Sequence, residues 1–106
     1  MKAMLKALLL LPFCSSVLAA TAAAPLALDS IEQRVQPCMA CHGAEGRATS
    51  DGYYPRIAGK PAGYLYHQLL HFRDGRRHYP MMSYLVERQS ESYLHEMADY
   101  FANQHL

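Results

Sequence analysis

Two cysteines and a histidine carry the clearest chemical signal in the sequence. They form the run Cys38-Met39-Ala40-Cys41-His42, in which two residues separate the cysteines and the histidine follows directly. Cysteines at this spacing can each form a thioether with one of the two vinyl groups of a haem, and the adjacent histidine reaches the iron from the same side of the ring. The run therefore predicts one covalently bound haem c, attached through Cys38 and Cys41 and ligated by His42.

Three other interpretations of the two cysteines stay open at this point. A zinc half-site pairs them with His67 and His71, but 25 residues separate Cys41 from His67, more than in a zinc finger, and His42 is left unexplained. A thioredoxin-like redox pair requires a strand that leads into a helix, and the pattern shows no such setting. A short-loop disulfide is compatible with an exported protein. We favour haem attachment over all three.

The N-terminal segment is typical of a secretory signal peptide. Basic residues begin it, a mostly apolar run covers residues 7–18, and small residues follow. We expect residues 1–22 to be removed, with the cleavage position left open, and Cys14 to leave with them. A retained N-terminal anchor is the alternative, although the apolar run is short for a membrane span. The expected mature protein, residues 23–106, is one periplasmic domain without a stable membrane span.

The composition of the expected mature chain bounds its function. It holds eight basic and nine acidic residues, so it lacks the strong positive field of a protein that binds nucleic acid. At about 85 residues it buries little apolar surface of its own, and domains of this size often depend on a metal or cofactor. A haem would supply the missing core.

Apolar periodicity predicts an all-α domain of three to four helices around the haem. We expect helices over residues 28–37, 61–72 and 90–102, with loops at 43–60 and 76–82. No segment alternates for long enough to predict a strand. The residues expected at the helix ends are Asp29 or Ser30, Pro37, Pro61, Gly75 and Ser90.

In these features the chain resembles the class I cytochromes c, above all the small bacterial monohaem proteins and the single domains of dihaem periplasmic cytochromes. The resemblance covers nearly the whole expected mature chain. Its first motif is specific, and the others are weak singly but follow the order of the family. The motifs are Cys38-Met39-Ala40-Cys41-His42-Gly43, Tyr54-Pro55-Arg56-Ile57-Ala58-Gly59-Lys60, Tyr64-Leu65-Tyr66-His67-Gln68-Leu69, Phe72-Arg73-Asp74-Gly75-Arg76, Pro80-Met81-Met82 and Met97-Ala98-Asp99-Tyr100-Phe101-Ala102.

The resemblance implies a methionine as the second axial ligand of the iron. The ligand methionine of the family commonly lies in a loop before the last helix, where this chain has Met81 and Met82. Thioether sulfur is a soft, neutral ligand that raises the reduction potential. The matching residues downstream favour Met82, and Met81 is the alternative. A histidine ligand in place of methionine is the further alternative, with His78 the nearest candidate; the other histidines are His67, His71, His95 and His105.

The resemblance also implies contacts around the ligands. The second ring N–H of His42 needs an acceptor, and in the family a proline carbonyl about a dozen residues later accepts it; Pro55 matches that place. Arginines are candidates to pair with the haem propionates, and tyrosines to cover the haem edges or pack the helices. The candidate arginines are Arg56, Arg73, Arg76 and Arg77, and the candidate tyrosines are Tyr54, Tyr64, Tyr66 and Tyr79.

These features together predict an exported monohaem cytochrome c that carries single electrons between periplasmic redox proteins. With both axial positions of the iron filled, no position is open for a substrate, so we expect electron transfer and no catalysis. One alternative is a haem subunit of a larger periplasmic or membrane-associated oxidoreductase complex. A third hypothesis is a haem sensor or peroxidase, in which Met82 does not bind the iron.

Overall fold

The computed structural model describes residues 30–106, and every regular element in that range is helical. This confirms the all-α prediction. The expected signal peptide, residues 1–22, lies outside the described residues. The α-helices are α1 (Ile31–Arg34), α2 (Gln36–His42), α3 (Ala62–Asp74), α4 (Pro80–Val86) and α5 (Glu91–Ala102), and a 3₁₀ turn spans Ala44–Gly46.

The serines that cap the starts of two helices and the glycine that ends a third act as predicted. The Ser30 side chain accepts a hydrogen bond from the Gln33 amide at 3.4 Å, and Ser90 accepts one from the Tyr93 amide at 3.1 Å. Gly75 ends α3 at φ 80°, a left-handed conformation that costs glycine little. The two longest helices therefore begin and end close to where the sequence predicts.

The prediction that the first helix runs to about Pro37 is wrong. That helix stops at Arg34, and Pro37 lies in the first turn of α2. A first-turn residue has no intrahelical partner for its N–H, so proline is tolerated there. Residues 38–42, which carry the two cysteines and the histidine, are consequently helical.

The expected loop at residues 76–82 is also only partly correct. Pro80 occupies the first turn of α4, so Met81 and Met82 lie on a helix. With α1 and α4 the described chain has five α-helices, three of them short, where the sequence predicts three to four.

Residues 43–60 form an irregular loop that backbone hydrogen bonds hold in place. The carbonyl of Gly46 accepts from the amides of Ile57 and Ala58 at 2.8 and 2.9 Å, and the amide of Gly59 donates to the Phe101 carbonyl at 2.9 Å. Gly46 has a φ of 77°, and a Cβ on it would lie 2.6 Å from the Ile57 side chain and 2.7 Å from that of Phe101. Glycine is therefore required where this loop crosses α5.

The core is small and divided. Helix α3 packs against both α4 and α5, and α1 packs against α5. One cluster of buried side chains comprises Val35, Leu65, Met97, Ala98 and Phe101, and the other comprises Phe72, Val86 and Leu94. Among the described residues, no helix is long and apolar enough to span a bilayer.

Candidate functional site

Helix α2 brings the two cysteines and the histidine onto one face. Cys38, Cys41 and His42 stand at positions i, i+3 and i+4, which lie on the same side of an α-helix. All three border one large cavity. The cysteines are half-buried and are not joined by a disulfide. Burial raises the pKa of Cys38 to about 11, so its sulfur is a neutral thiol at physiological pH.

The His42 ring is buried and fixed by the loop that follows α2. Its Nδ1 lies 2.6 Å from the carbonyl oxygen of Pro55. A carbonyl only accepts, so His42 donates Nδ1–H, and in the neutral ring with this tautomer Nε2 carries the lone pair that can bind a metal. The amides of Ile57 and Ala58 both donate to the Gly46 carbonyl. These two hydrogen bonds hold the loop in the position from which the Pro55 carbonyl reaches the His42 ring. The structure thus brings together the two residues that the sequence analysis paired.

The cavity beside His42 has a volume of about 610 Å³, within the range of about 300–1,000 Å³ that cofactor and ligand pockets occupy. All the helices except α1 contribute to its walls, as does the 53–60 segment of the loop. Seven of the nine buried apolar residues of the described chain border it, so it lies where a domain of this size would have its core. These seven are Leu65, Phe72, Val86, Leu94, Met97, Ala98 and Phe101.

Both candidate methionines border the same cavity as His42. Met82 is half-buried and packs against the cluster of Phe72, Val86 and Leu94, whereas Met81 is 55% exposed. Successive residues of a helix point about 100° apart, so one axial position on an iron can receive only one of the two sulfurs. Both methionines therefore stay candidates for the iron ligand, and Met82 is the one whose side chain packs against the core.

Of the candidate histidines other than His42, only His78 borders the cavity. His95 stacks on Tyr66, with ring centroids 3.6 Å apart. Within residues 30–106, no three side chains of His, Cys, Asp or Glu come close enough to hold a metal ion together. The zinc set that combines the two cysteines with His67 and His71 is therefore not assembled in this part of the chain.

The charged residues around the cavity are all basic. Arg56, Lys60 and Arg77 border it, and no Asp or Glu does. Of the other candidate arginines, Arg76 does not border it, and Arg73 is engaged elsewhere, with the Gln89 carbonyl at 3.2 Å and a Glu91 oxygen at 3.4 Å.

Three of the four candidate tyrosines, Tyr54, Tyr64 and Tyr79, border the cavity, and Tyr66 does not. The nearby phenol of Tyr79 raises the pKa of Tyr54. Tyr54, on the loop that carries Pro55, therefore lies close to Tyr79, which leads into α4.

Sequence reasoning missed Gln68, which borders the cavity and binds Arg77. The signal was present, because Gln68 interrupts the apolar face that Leu65, Leu69 and Phe72 form along α3. A polar side chain within an apolar face needs a partner.

These features fit a haem. A flat, apolar macrocycle suits the apolar walls, its two vinyl groups suit the paired cysteines of α2, and its iron suits the available Nε2 of His42. Its two propionates suit a rim that carries basic residues and no acid. The Nδ1–H bond of His42 to a backbone carbonyl is the kind of contact that commonly orients a metal-bound histidine.

The chain is similar to several redox proteins. It is 36% identical over 80 residues to the thiosulfate dehydrogenase electron acceptor of Thiomonas intermedia, a match that covers 76% of this chain and 37% of that protein. Cytochrome c-554(548) of Halomonas halodenitrificans is 29% identical over 76 residues, 69% of this chain and 90% of that protein. The cytochrome subunit of sulfide dehydrogenase of Chlorobaculum tepidum is 32% identical over 66 residues, 62% of this chain and 58% of that protein. The chain thus spans only part of the length of the first and third of these relatives. No protein-family model matches it.

Proposed function

Because the chain belongs to the class I cytochromes c, we propose that it is an exported electron carrier that passes single electrons between periplasmic redox proteins. Its cofactor is covalently bound haem c. The observation that carries the proposal is the face of α2, where Cys38, Cys41 and His42 border one apolar cavity while Pro55 fixes the His42 ring.

In this proposal Cys38 and Cys41 hold the haem through thioethers, one to each vinyl group. Covalent attachment keeps the cofactor in place even though the cavity is open to solvent on one side.

His42 and Met82 are the proposed axial ligands, with Met81 the alternative to Met82. The Pro55 carbonyl orients the His42 ring by accepting a hydrogen bond from its Nδ1–H. This bond increases the basicity of the ring, so Nε2 becomes a stronger ligand for iron. The packing of Met82 against Phe72, Val86 and Leu94 supports its assignment, since a side chain held by its neighbours loses less entropy on binding iron.

Electron transfer follows from this set of ligands. The haem supplies an iron that alternates between the ferrous and ferric states. With haem bound, His42 and Met82 would both hold the iron, and the apolar side chains around the cavity would limit the access of water and substrates to the metal. An arrangement of this kind favours passing electrons over binding a substrate.

Acid-acetone extraction and mass spectrometry of the periplasmic protein test this proposal. We expect the haem to stay with the protein and the mature mass to exceed that of the chain by one haem. The reduced and oxidised absorption spectra should be those of a low-spin haem. A colourless protein that carries zinc, or a haem that acid-acetone removes, would contradict the proposal.

A second candidate is a haem subunit of a larger oxidoreductase complex. It is favoured by the similarity to a protein named as the cytochrome subunit of sulfide dehydrogenase. Affinity purification from the periplasmic and membrane fractions distinguishes the two functions. A free carrier elutes alone at its own mass, whereas a subunit elutes with one partner in constant ratio.

A further inference from the structure

Arg77 is held in a fixed position at the rim of the cavity. Its Nη1 donates to Gln68 Oε1 at 2.8 Å, and its guanidinium carbon lies 4.7 Å from the centroid of the Phe72 ring. Its backbone N–H donates to the His71 carbonyl at 3.1 Å. Gln68, Phe72 and Arg77 all border the cavity. Contacts on two sides therefore orient the guanidinium.

The charge of Arg77 has no carboxylate partner within the described chain. Four other arginines have a carboxylate oxygen within 4.0 Å, but Arg77 is not among them, and no Asp or Glu borders the cavity. A guanidinium has five N–H donors, and Gln68 takes only one. A haem that fills the cavity removes water from one side of this cation, which is costly unless an anion comes with it.

We propose that Arg77 is the anchor of a haem propionate and that Gln68 and Phe72 position its guanidinium. This inference rests on the proposed function, since it takes haem as the occupant of the cavity. The propionates are the anionic groups of haem, and a planar guanidinium binds a carboxylate with two parallel hydrogen bonds.

The other basic residues fit this role less well. Arg73 does not border the cavity and is bound to the Gln89 carbonyl and to Glu91, and Arg76 does not border it either. Arg56 and Lys60 border the cavity, but no hydrogen bond within residues 30–106 fixes either head group. Arg77 alone combines position, orientation and a charge without a partner in the described part of the chain.

Reduction potentials of the holoprotein test the anchor. Arg77 offsets the negative charge of the propionate, so its removal stabilises ferric iron and lowers the potential. We expect a lower potential in Arg77→Gln than in the unmodified protein. Arg77→Lys should recover part of the potential, because it keeps the positive charge but cannot form the two parallel hydrogen bonds of a guanidinium. Arg76→Gln is the matched control: it removes one positive charge at the adjacent position and should leave the potential close to that of the unmodified protein.

Resonance Raman spectra of the same samples give a second readout. The propionate bending band should shift in Arg77→Gln and stay in place in Arg76→Gln. Gln68→Ala keeps the charge and releases the guanidinium, so we expect the band to shift there too, with a smaller fall in potential. This variant tests the same contact if Arg77→Gln yields too little holoprotein.

Two outcomes overturn the inference. One is an Arg77→Gln holoprotein, or a Gln68→Ala holoprotein in its place, with an unmoved potential and Raman band. The other is an equal fall in Arg76→Gln and Arg77→Gln, which would reflect overall charge and no specific contact. In either case a covalently bound low-spin haem leaves the proposed function standing, whereas its absence from the unmodified protein refutes that function itself.

Discussion

Replacing both cysteines of α2 by alanine should prevent the chain from folding. Cys38→Ala/Cys41→Ala removes the two attachment points and leaves the apolar walls of the cavity without the haem. Seven of the nine buried apolar residues of the described chain border that cavity, so most of the core would then face a void or water. The expected product is a poorly helical chain that periplasmic proteases degrade.

The size of the effect follows from the cavity volume. Cavities in protein cores cost about 24 cal/mol per Å³, so 610 Å³ corresponds to about 15 kcal/mol. Water that enters through the open mouth lowers this cost, so about 15 kcal/mol is its upper bound. Small domains are stable by about 0.05–0.15 kcal/mol per residue, which is about 4–12 kcal/mol for the described chain. The upper bound for an empty cavity is therefore as large as the whole stability of the domain.

Far-ultraviolet circular dichroism and limited proteolysis of the purified variant measure this outcome. Cys14→Ala is the control: it removes one cysteine from the expected signal peptide and none from α2, and its holoprotein should be unchanged. A double variant that shows the full helical signal and melts cooperatively without haem would refute the reasoning, since the chain would then have a sufficient core of its own.

Three further predictions concern single residues. Met82→Ala should abolish the weak long-wavelength sulfur-to-iron charge-transfer band, lower the reduction potential and let carbon monoxide bind. Met81→Ala should keep the band. The opposite result would make Met81 the ligand. Gly46→Ala should destabilise the holoprotein by about 2–3 kcal/mol in guanidinium titrations, because a Cβ there collides with two side chains at positive φ. Gly52→Ala is the control, since the space around Gly52 is open, and it should cost about 1 kcal/mol. Equal losses of stability in the two variants would contradict this prediction. Burial raises the pKa of Tyr93, so the unfolded chain loses its phenol proton first and stability falls as the pH rises above about 10. Tyr93→Phe should flatten that alkaline decline in thermal melts; an unchanged slope would exclude Tyr93 as its cause.

The two long helices were predictable because each carries enough periodic residues and a clear end signal. The apolar stripe of α5 includes Leu94, Met97, Ala98 and Phe101, all of which are buried, and the Ser90 cap precedes it. In α3, Pro61 and Gly75 mark the two ends. A helix of three or more turns repeats its pattern often enough to be read from the sequence.

The short helices were not predictable by the same means. Helix α1 has four residues, and α2 and α4 have seven each, so each offers two turns at most. Their stability comes from packing and, for α2, from the residues that border the cavity, and intrinsic preference contributes little. In both α2 and α4 a proline that suggests a break in the helical pattern instead begins a helix, since the sequence alone does not distinguish these two positions.

The candidate site was predictable where its residues are close together in the sequence. Cys38, Cys41 and His42 fall within five positions, and their shared helix face follows from their spacing. The contact between His42 and Pro55 spans 13 positions, and only the family resemblance indicated it. No pattern in the neighbouring sequence predicts the pairing of Gln68 with Arg77, because this contact depends on the turn after α3 that returns the chain to the cavity.

Because one cavity serves both as the core and as the cofactor site, the stability and the reduction potential of this protein depend on the same side chains. Met82, the proposed sulfur ligand, packs against Phe72, Val86 and Leu94, and all four border the cavity. Loss of the proposed bond from sulfur to iron would also loosen this apolar cluster, so packing would oppose ligand loss. A substitution that loosens the cluster without touching iron would weaken the ligand in turn and favour the ferric state. With Met82 as the ligand, the packing of α3, α4 and α5 would therefore influence the reduction potential together with the ligands themselves.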